Sequence, residues 1–486
     1  MLAPGGDSTD GARVTRPSRA IHSPADNPYR KLSRRRFSEP LLLLLLFLFG
    51  VWLWDNHLGS PRVPHLAGDP VQTWELTMRK ADRDLRLAEG TRHLPPFVQS
   101  LLGIDPLSQT LDRQIESFEL LVRSRHRHDE DEATREIGDE GAFALGVMIA
   151  LQGDGNAAAA PFAQLGLAAP PPPEEVISRI IHGREHWWDM AYLEALDIPE
   201  NDYAGKLVDS RTRHLVGNAI KSRGVVLALG LGGLIFIPGT LLAFFRAGRT
   251  REPVNYSHRW HLSFGLGVFL LAYLAFVGFG NLYSQGLGLV ATGQDPVMSP
   301  PVYLTVATVS MFLPALIALG LMFRRPRHAI SRLGLAGPFD GRMVLGSFAI
   351  LQIIEFGLRM TIDASGPIDP TGGLSPEESG PWGLAFGIAT ACLAAPVAEE
   401  IVYRGVLFRS LANRLKIWPA VAISSIVFSL VHFYTWPSLI MVAMVGAACA
   451  LAYVSSRALL TAIVLHALYN AAIKIPEWIV YQTPLS

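Results

Sequence analysis

Cysteine is nearly absent: the 486 residues include two, Cys392 and Cys449. Both lie inside apolar runs, so neither a disulfide framework nor a cysteine zinc site is implied. Net charge is absent too, with 42 Lys and Arg against 42 Asp and Glu. That balance gives no reason to expect nucleic acid as a partner. Familiar protease signatures are missing. There is no H-E-x-x-H helix, which excludes the zincin arrangement. There is no G-x-S-x-G elbow, and no serine pairs evidently with a histidine. Neither cysteine sits in a motif that suggests a nucleophile. Lys and Arg are missing altogether from 282–302 and 362–381.

What the chain has instead is long apolar runs. Half of its residues are hydrophobic, mostly in runs of about 15–22, enough to span a hydrocarbon core. Nine segments stand out, near 40–54, 224–245, 262–281, 303–323, 343–361, 382–402, 417–433, 437–455 and 458–475. Positive residues collect on the cytoplasmic side of membrane proteins. Arg30, Lys31, Arg34, Arg35 and Arg36 precede the first segment and place the N-terminus inside. The inner loops then carry Arg246, Arg249 and Arg251, next Arg324, Arg325, Arg327 and Arg332, next Arg414 and Lys416, and last Arg457. The cation-free stretches fall outside, the second with Asp363, Asp369, Glu377 and Glu378. The first run, "PLLLLLLFLFGVWLW", has a long basic leader and no small-x-small cleavage site after it. It reads as an uncleaved signal anchor rather than a signal peptide.

The expected fold is therefore all-α: a polytopic membrane helix bundle with a helical extramembrane domain after the first segment. The parts are a basic cytoplasmic tail (1–39), the anchor (40–54), an extracytoplasmic helical block (55–220), membrane helices with basic inner loops (224–335), a second membrane bundle (340–475) and a tail (476–486). The outer block shows helical spacing in "VQTWELTMRKADRDLRLAEG" and "LDRQIESFELLVRS". "GAFALGVMIAL" is too short to span and reads as a buried core helix. The Pro170–Pro173 run breaks the block, and a helix restarts after it. His126 and His128 beside Asp129, Glu130 and Asp131 read as a solvated helix end rather than a metal site. Trp187 and Trp188 read as packing.

Ionisable residues in a spanning helix cost several kcal/mol unless paired or hydrated, so each marks a candidate site. In "LAAPVAEEIVYRGVLF", Glu400 and Arg404 are four apart and share a helix face. Glu399 is turned about 100° from Glu400 and is expected to meet a different neighbour. Pro396 removes a helical hydrogen bond just before them. "FSLVH" puts Phe428 and His432 on one face, and "HALYN" does the same for His466 and Asn470. Glu355 and Arg359, also four apart, read as a structural ion pair. The nominal depths of Glu399, His432 and His466 differ, so a shared pocket needs a short, tilted or kinked helix.

Glutamate with histidines in a wet pocket suits water activation. An Asn amide and an imidazole N–H can supply donors for an oxyanion. Alternatively, Glu399, His432 and His466 are a sufficient ligand set for a catalytic Zn²⁺ with one open position. The residue types leave a metal-dependent and a metal-independent reaction both open.

"EEIVYR", "FSLVH" and "HALYN", in that order and each on its own membrane helix, resemble the CAAX protease and bacteriocin-processing family, also called the Abi family. Its pattern is E-E-x-x-x-R, F-x-x-x-H and H-x-x-x-N, with Tyr403 here where Phe is usual. The resemblance spans about 340–475. It implies an intramembrane endopeptidase, metal-dependent or glutamic, in which Glu399 activates water with His432. His466 and Asn470 would stabilise the oxyanion, and Glu400 and Arg404 would support the site. The substrate would be a membrane or membrane-associated peptide or protein. Eukaryotic relatives trim prenylated C-termini; this chain's own end, "QTPLS", has no C-a-a-X box. The expected setting is the lipid bilayer of a bacterial inner membrane, multi-pass, with the N-terminus cytoplasmic. The competing reading is a non-catalytic membrane protein, an immunity factor, scaffold or transporter, whose polar residues hold helices together.

Overall fold

The computed structural model describes residues 36–56, 70–125, 132–152, 171–198, 202–249, 260–290, 300–323, 326–335, 337, 339–362, 370–375, 379–432 and 436–484. The His126–Asp131 cluster, Pro170 and the acidic residues at 363–369 and 377–378 lie outside them. All regular structure among the described residues is helical.

Helix α1 (Glu39–Trp54) is followed by α2 (Pro70–Gly90), α3 (Pro96–Leu101), α4 (Leu107–Arg125), α5 (Glu132–Gln152), α6 (Pro173–Ile181) and α7 (Trp187–Ala195). The membrane part comprises α8 (Asp202–Gly233), α9 (Ile237–Arg249), α10 (Leu262–Val290), α11 (Pro300–Ser310), α12 (Leu313–Met322), α13 (Pro326–Leu333), α14 (Gly341–Thr361), α15 (Gly380–Ala412), α16 (Ile417–Leu430), α17 (Trp436–Ser456) and α18 (Leu459–Tyr481). Among the described residues, seven helical stretches are long and apolar enough to cross a membrane. The two other expected segments are shorter apolar helices, Glu39–Trp54 and Ile417–Leu430. All nine apolar runs of the sequence are thus helical.

Prolines mark the breaks. A 3₁₀ turn at Leu234–Phe236 separates α8 from α9 next to Pro238, and α12 starts with Pro314 in its first turn. A proline lacks the N–H that would continue the ladder and fits best in the first turn. Two boundaries differ from the sequence reading. Helix α8 passes without interruption through position 220, joining the outer block to the membrane. Helix α18 continues past 475 to Tyr481, with Pro476 inside it. Its end is anchored by the outer block, where Arg83 donates to the Val480 carbonyl at 2.8 Å.

The outer block has its own apolar core, in which Trp74, Leu85, Phe118, Leu145 and Trp188 meet. Trp187 and Trp188 are both buried there. Beside them Asp189 is also fully buried, and burial pushes its carboxyl up to about 6, against the opposing His186 amide and Arg179. A raised carboxyl stabilises the fold below its unfolded value, and that stability is lost as pH rises through about 6. We expect the outer block to lose up to about 3 kcal/mol of stability between pH 4 and 7 from this group. Unfolding followed across that window checks this: Asp189→Asn should flatten the pH dependence.

Helix α1 packs on α10 through Phe49, which meets the rings of Phe269 and Tyr273 edge-on. At the other end of the bundle α17 lies between α16 and α18 and against α14. Small residues allow close approach between membrane helices. Gly446 of α17 is one such point: a Cβ there would stand 3.2 Å from both the Phe428 ring and the Ser425 backbone of α16. That approach brings the three motif helices α15, α16 and α18 within side-chain reach of one another.

Candidate active site

Helix α15 is not a plain α-helix. It is π-helical over Ala389–Ala394 and again over Glu400–Phe408, with a short α-helical piece Ala395–Glu399 between. π-Bulges concentrate at functional sites because they re-aim side chains. In i→i+5 winding the carbonyl of Ala391 would be served by the N–H of residue 396, which is proline and has none. The vacated acceptor is taken by Asn470, whose Nδ2 donates to the Ala391 carbonyl at 2.8 Å. Pro396 and Asn470, far apart in sequence, are thus one feature that locks α18 to α15. Asn470→Ala should leave a half-buried carbonyl unpaired and cost about 1 kcal/mol. Thermal unfolding in detergent reads this, and Asn470→Asp, which loses the donor at that atom, should be no better.

The π-helical piece carries the charges. Glu400 is fully buried, and Arg404 Nη1 stands 2.8 Å from its Oε1. Arg404 Nη2 also donates to the Gly446 carbonyl at 3.0 Å. The same Glu400 oxygen lies 2.9 Å from His466 Nδ1. With Glu400 ionised beside the guanidinium, the carboxylate accepts, His466 carries its proton on Nδ1, and Nε2 faces the other way.

Nε2 faces Glu399, whose Oε2 is 3.9 Å away. This corrects the expectation that the two carboxylates meet different neighbours. The wider π-helical winding turns successive side chains by less than 100°, and the imidazole of His466 sits between both. The 3.9 Å separation is too long for a hydrogen bond. Glu399 Oε2 is buried and has no hydrogen-bond partner among the described residues. A buried lone acceptor of this kind is costly to keep.

Phe428 is the floor on which the parts meet. Its ring lies 4.8 Å from that of His432, 5.8 Å from that of His466 and 4.9 Å from that of Tyr403. The Arg404 guanidinium carbon is 4.4 Å from its centroid. The nominal difference in depth is removed by length. Helix α16 has 14 residues, about 21 Å at 1.5 Å per residue, so it ends short of a full crossing. His432 lies just past that end, its Nδ1 2.6 Å from the Phe428 carbonyl. This fixes the tautomer, with Nδ1–H donating and Nε2 as the acceptor nitrogen.

Among the described residues, no three His, Cys, Asp or Glu side chains are grouped so as to hold a metal ion. His432 and His466 flank the Phe428 ring and Glu399 approaches His466, but the three are not drawn together as a coordinating trio in this geometry. Glu355 and Arg359 are paired at 2.6 Å, and the Tyr469 hydroxyl donates to the other Glu355 oxygen at 3.3 Å. That pair ties α14 to α18 rather than joining the cluster. Gly446 as the acceptor for Arg404 is hardly marked in residue type. The only trace is the small-residue run "GAACALA" around it, the mark of a close helix crossing.

Residues 381–472 match a protein family described as Rce1-like, type II CAAX prenyl endopeptidase. All three motifs fall inside the matched stretch, and the outer block and the first five apolar segments fall outside it. The site therefore lies within the stretch that matches the Rce1-like family, in an integral, multi-pass membrane protein. No curated protein and no solved structure matches the chain.

Proposed function

We propose that the chain is an intramembrane endopeptidase in which Glu399 and His466 activate water against a peptide bond. One observation carries this: the His466 imidazole stands between Glu400, a buried carboxylate whose Oε1 is held by Arg404 and His466, and Glu399, whose Oε2 is buried without a hydrogen-bond partner among the described residues. The match to a CAAX-type protease family over the same helices supports it.

The chemistry follows from the charges. Two carboxylates and one guanidinium leave one negative charge, and one proton shared between Glu399 and His466 makes the cluster neutral. Neutral clusters are what a low-dielectric site tolerates. In the ground state Glu399 is ionised and takes a proton from water as the oxygen attacks the scissile carbonyl. The resulting oxyanion accepts hydrogen bonds from the Nε2–H of protonated His466 and from the second N–H of Asn470. Glu399 then gives the proton to the leaving amine, and the peptide bond is cleaved. Glu400 and Arg404 hold the His466 ring and do not react. Holding Zn²⁺ would require Glu399, His432 and His466 to move together, since they are not grouped as a coordinating trio here. Metal content of the purified protein, set beside activity with a chelator, separates the two forms.

The competing reading, polar residues as structural ties, is favoured by three cross-helix bonds: Arg404 to Gly446, His466 to Glu400 and Asn470 to Ala391. Among the described residues, Glu399 Oε2 makes no such bond. The substrate class we propose is a membrane or membrane-associated peptide, met in a bacterial inner membrane with the N-terminus cytoplasmic. Peptides released from membranes with and without the protein should differ at defined new termini. Identical peptide sets would count against any protease.

A further inference from the structure

A second site lies away from the catalytic cluster, where the outer block meets the membrane helices. An apolar cavity of about 530 Å³ runs along α8, α14 and α18. It extends from Leu234 and Ala349 in the bundle to Arg223 and Arg359 at its mouth, and the Ser100–Gly103 turn of the outer block closes that end. From Ala349 to Arg359 is ten helical residues, about 15 Å. A polar compartment of about 170 Å³ adjoins it. The two share Gly103, Arg223 and Tyr481 as walls. Gly103 has a left-handed φ of +66° and a Cβ there would meet the Arg359 guanidinium at 2.5 Å, so only glycine allows this junction.

The charges around the junction are mostly paired off. Glu355 holds Arg359 at 2.6 Å, Glu477 is 3.6 Å from Lys474, Asp105 holds Arg113 at 2.6 Å, and Asp84 holds Lys80. Arg223 differs. It donates to the Leu102 and Gly103 carbonyls at 3.1 and 2.7 Å, and no carboxylate pairs with it among the described residues. Carbonyls orient a guanidinium without neutralising it. One uncompensated cation therefore stands between a polar compartment and a chain-sized apolar one.

We propose that this is a binding site for a singly anionic amphiphile, its head beside Arg223 and its chain along α8 and α14. Phosphate and carboxylate both match a guanidinium fork, so an anionic phospholipid of the bilayer and a free fatty acid share the required chemistry. The outer block supplies the roof, so an occupied site couples that block to the membrane bundle.

The full-length protein in neutral detergent is offered phosphatidylglycerol, phosphatidylcholine or oleate, and retained lipid is read by native mass spectrometry. Retention of phosphatidylglycerol at least about tenfold above phosphatidylcholine is expected if the source is a phospholipid, and of oleate in its place if it is a fatty acid. Arg223→Gln should remove the preference for the anion. Gly230→Phe should remove retention altogether, because a Cβ at Gly230 meets only the Gln352 side chain, at 3.6 Å, and a ring there fills the cavity. Thermal unfolding of each variant shows that it is folded. Equal retention of the charged and zwitterionic lipids by the wild type, or unchanged retention in a folded Gly230→Phe, would overturn the proposal.

Discussion

Glu399→Gln should lose cleavage by about 10²–10⁴-fold, the usual contribution of a positioned acid–base group, while its unfolding temperature stays at or above that of the wild type. The two halves of that result have one cause. The Glu399 carboxylate holds a buried oxygen with no hydrogen-bond partner among the described residues, so the fold gains little from its charge. A neutral amide of the same shape relieves that cost. It also removes the only group at this position that can take a proton from water. Glu399→Asp keeps the carboxylate but draws it back by one methylene, and partial activity is expected. If the polar residues were structural ties only, Glu399→Gln would have no activity to lose.

The second large effect is on stability. Arg404→Leu leaves Glu400 fully buried with its counter-charge gone, and breaking one side of a buried pair costs about 3–5 kcal/mol. The loss is compounded by the bond to the Gly446 carbonyl and the contact with the Phe428 ring. The double variant Glu400→Gln with Arg404→Leu should recover much of that stability, because no buried charge is stranded. Activity should not recover with it, since His466 loses the carboxylate that fixes its Nδ1 proton. Unfolding in detergent for the two singles and the double gives the coupling directly.

These two residues show what the sequence makes legible. Charged side chains in apolar runs are costly, and the one-turn spacings of Glu400 to Arg404, Phe428 to His432 and His466 to Asn470 locate three of the facing surfaces. The nine apolar runs were legible for the same reason, that hydrocarbon sets their length. The partner of Glu399 was not, because its direction depends on the π-helical stretches of α15, and i→i+5 winding has no periodicity signal in so few residues. Acceptors that are backbone carbonyls, Ala391 for Asn470 and Gly446 for Arg404, leave no mark in residue type. Pro396 was a visible cause whose consequence, a freed carbonyl filled by Asn470, appears only once α15 and α18 are placed together. The unbroken run of α8 past position 220 was hidden because polar and apolar helices share one backbone geometry and differ only in what surrounds them.

The most direct measurement uses water itself. Wild-type protein and Glu399→Gln, each reconstituted in liposomes with membrane peptides, are incubated in H₂¹⁸O, and new C-termini are read by mass spectrometry. Water activated at Glu399 predicts peptides carrying one ¹⁸O in the newly formed carboxyl with the wild type, and none above background with Glu399→Gln. Equal labelled cleavage by a folded Glu399→Gln would contradict it.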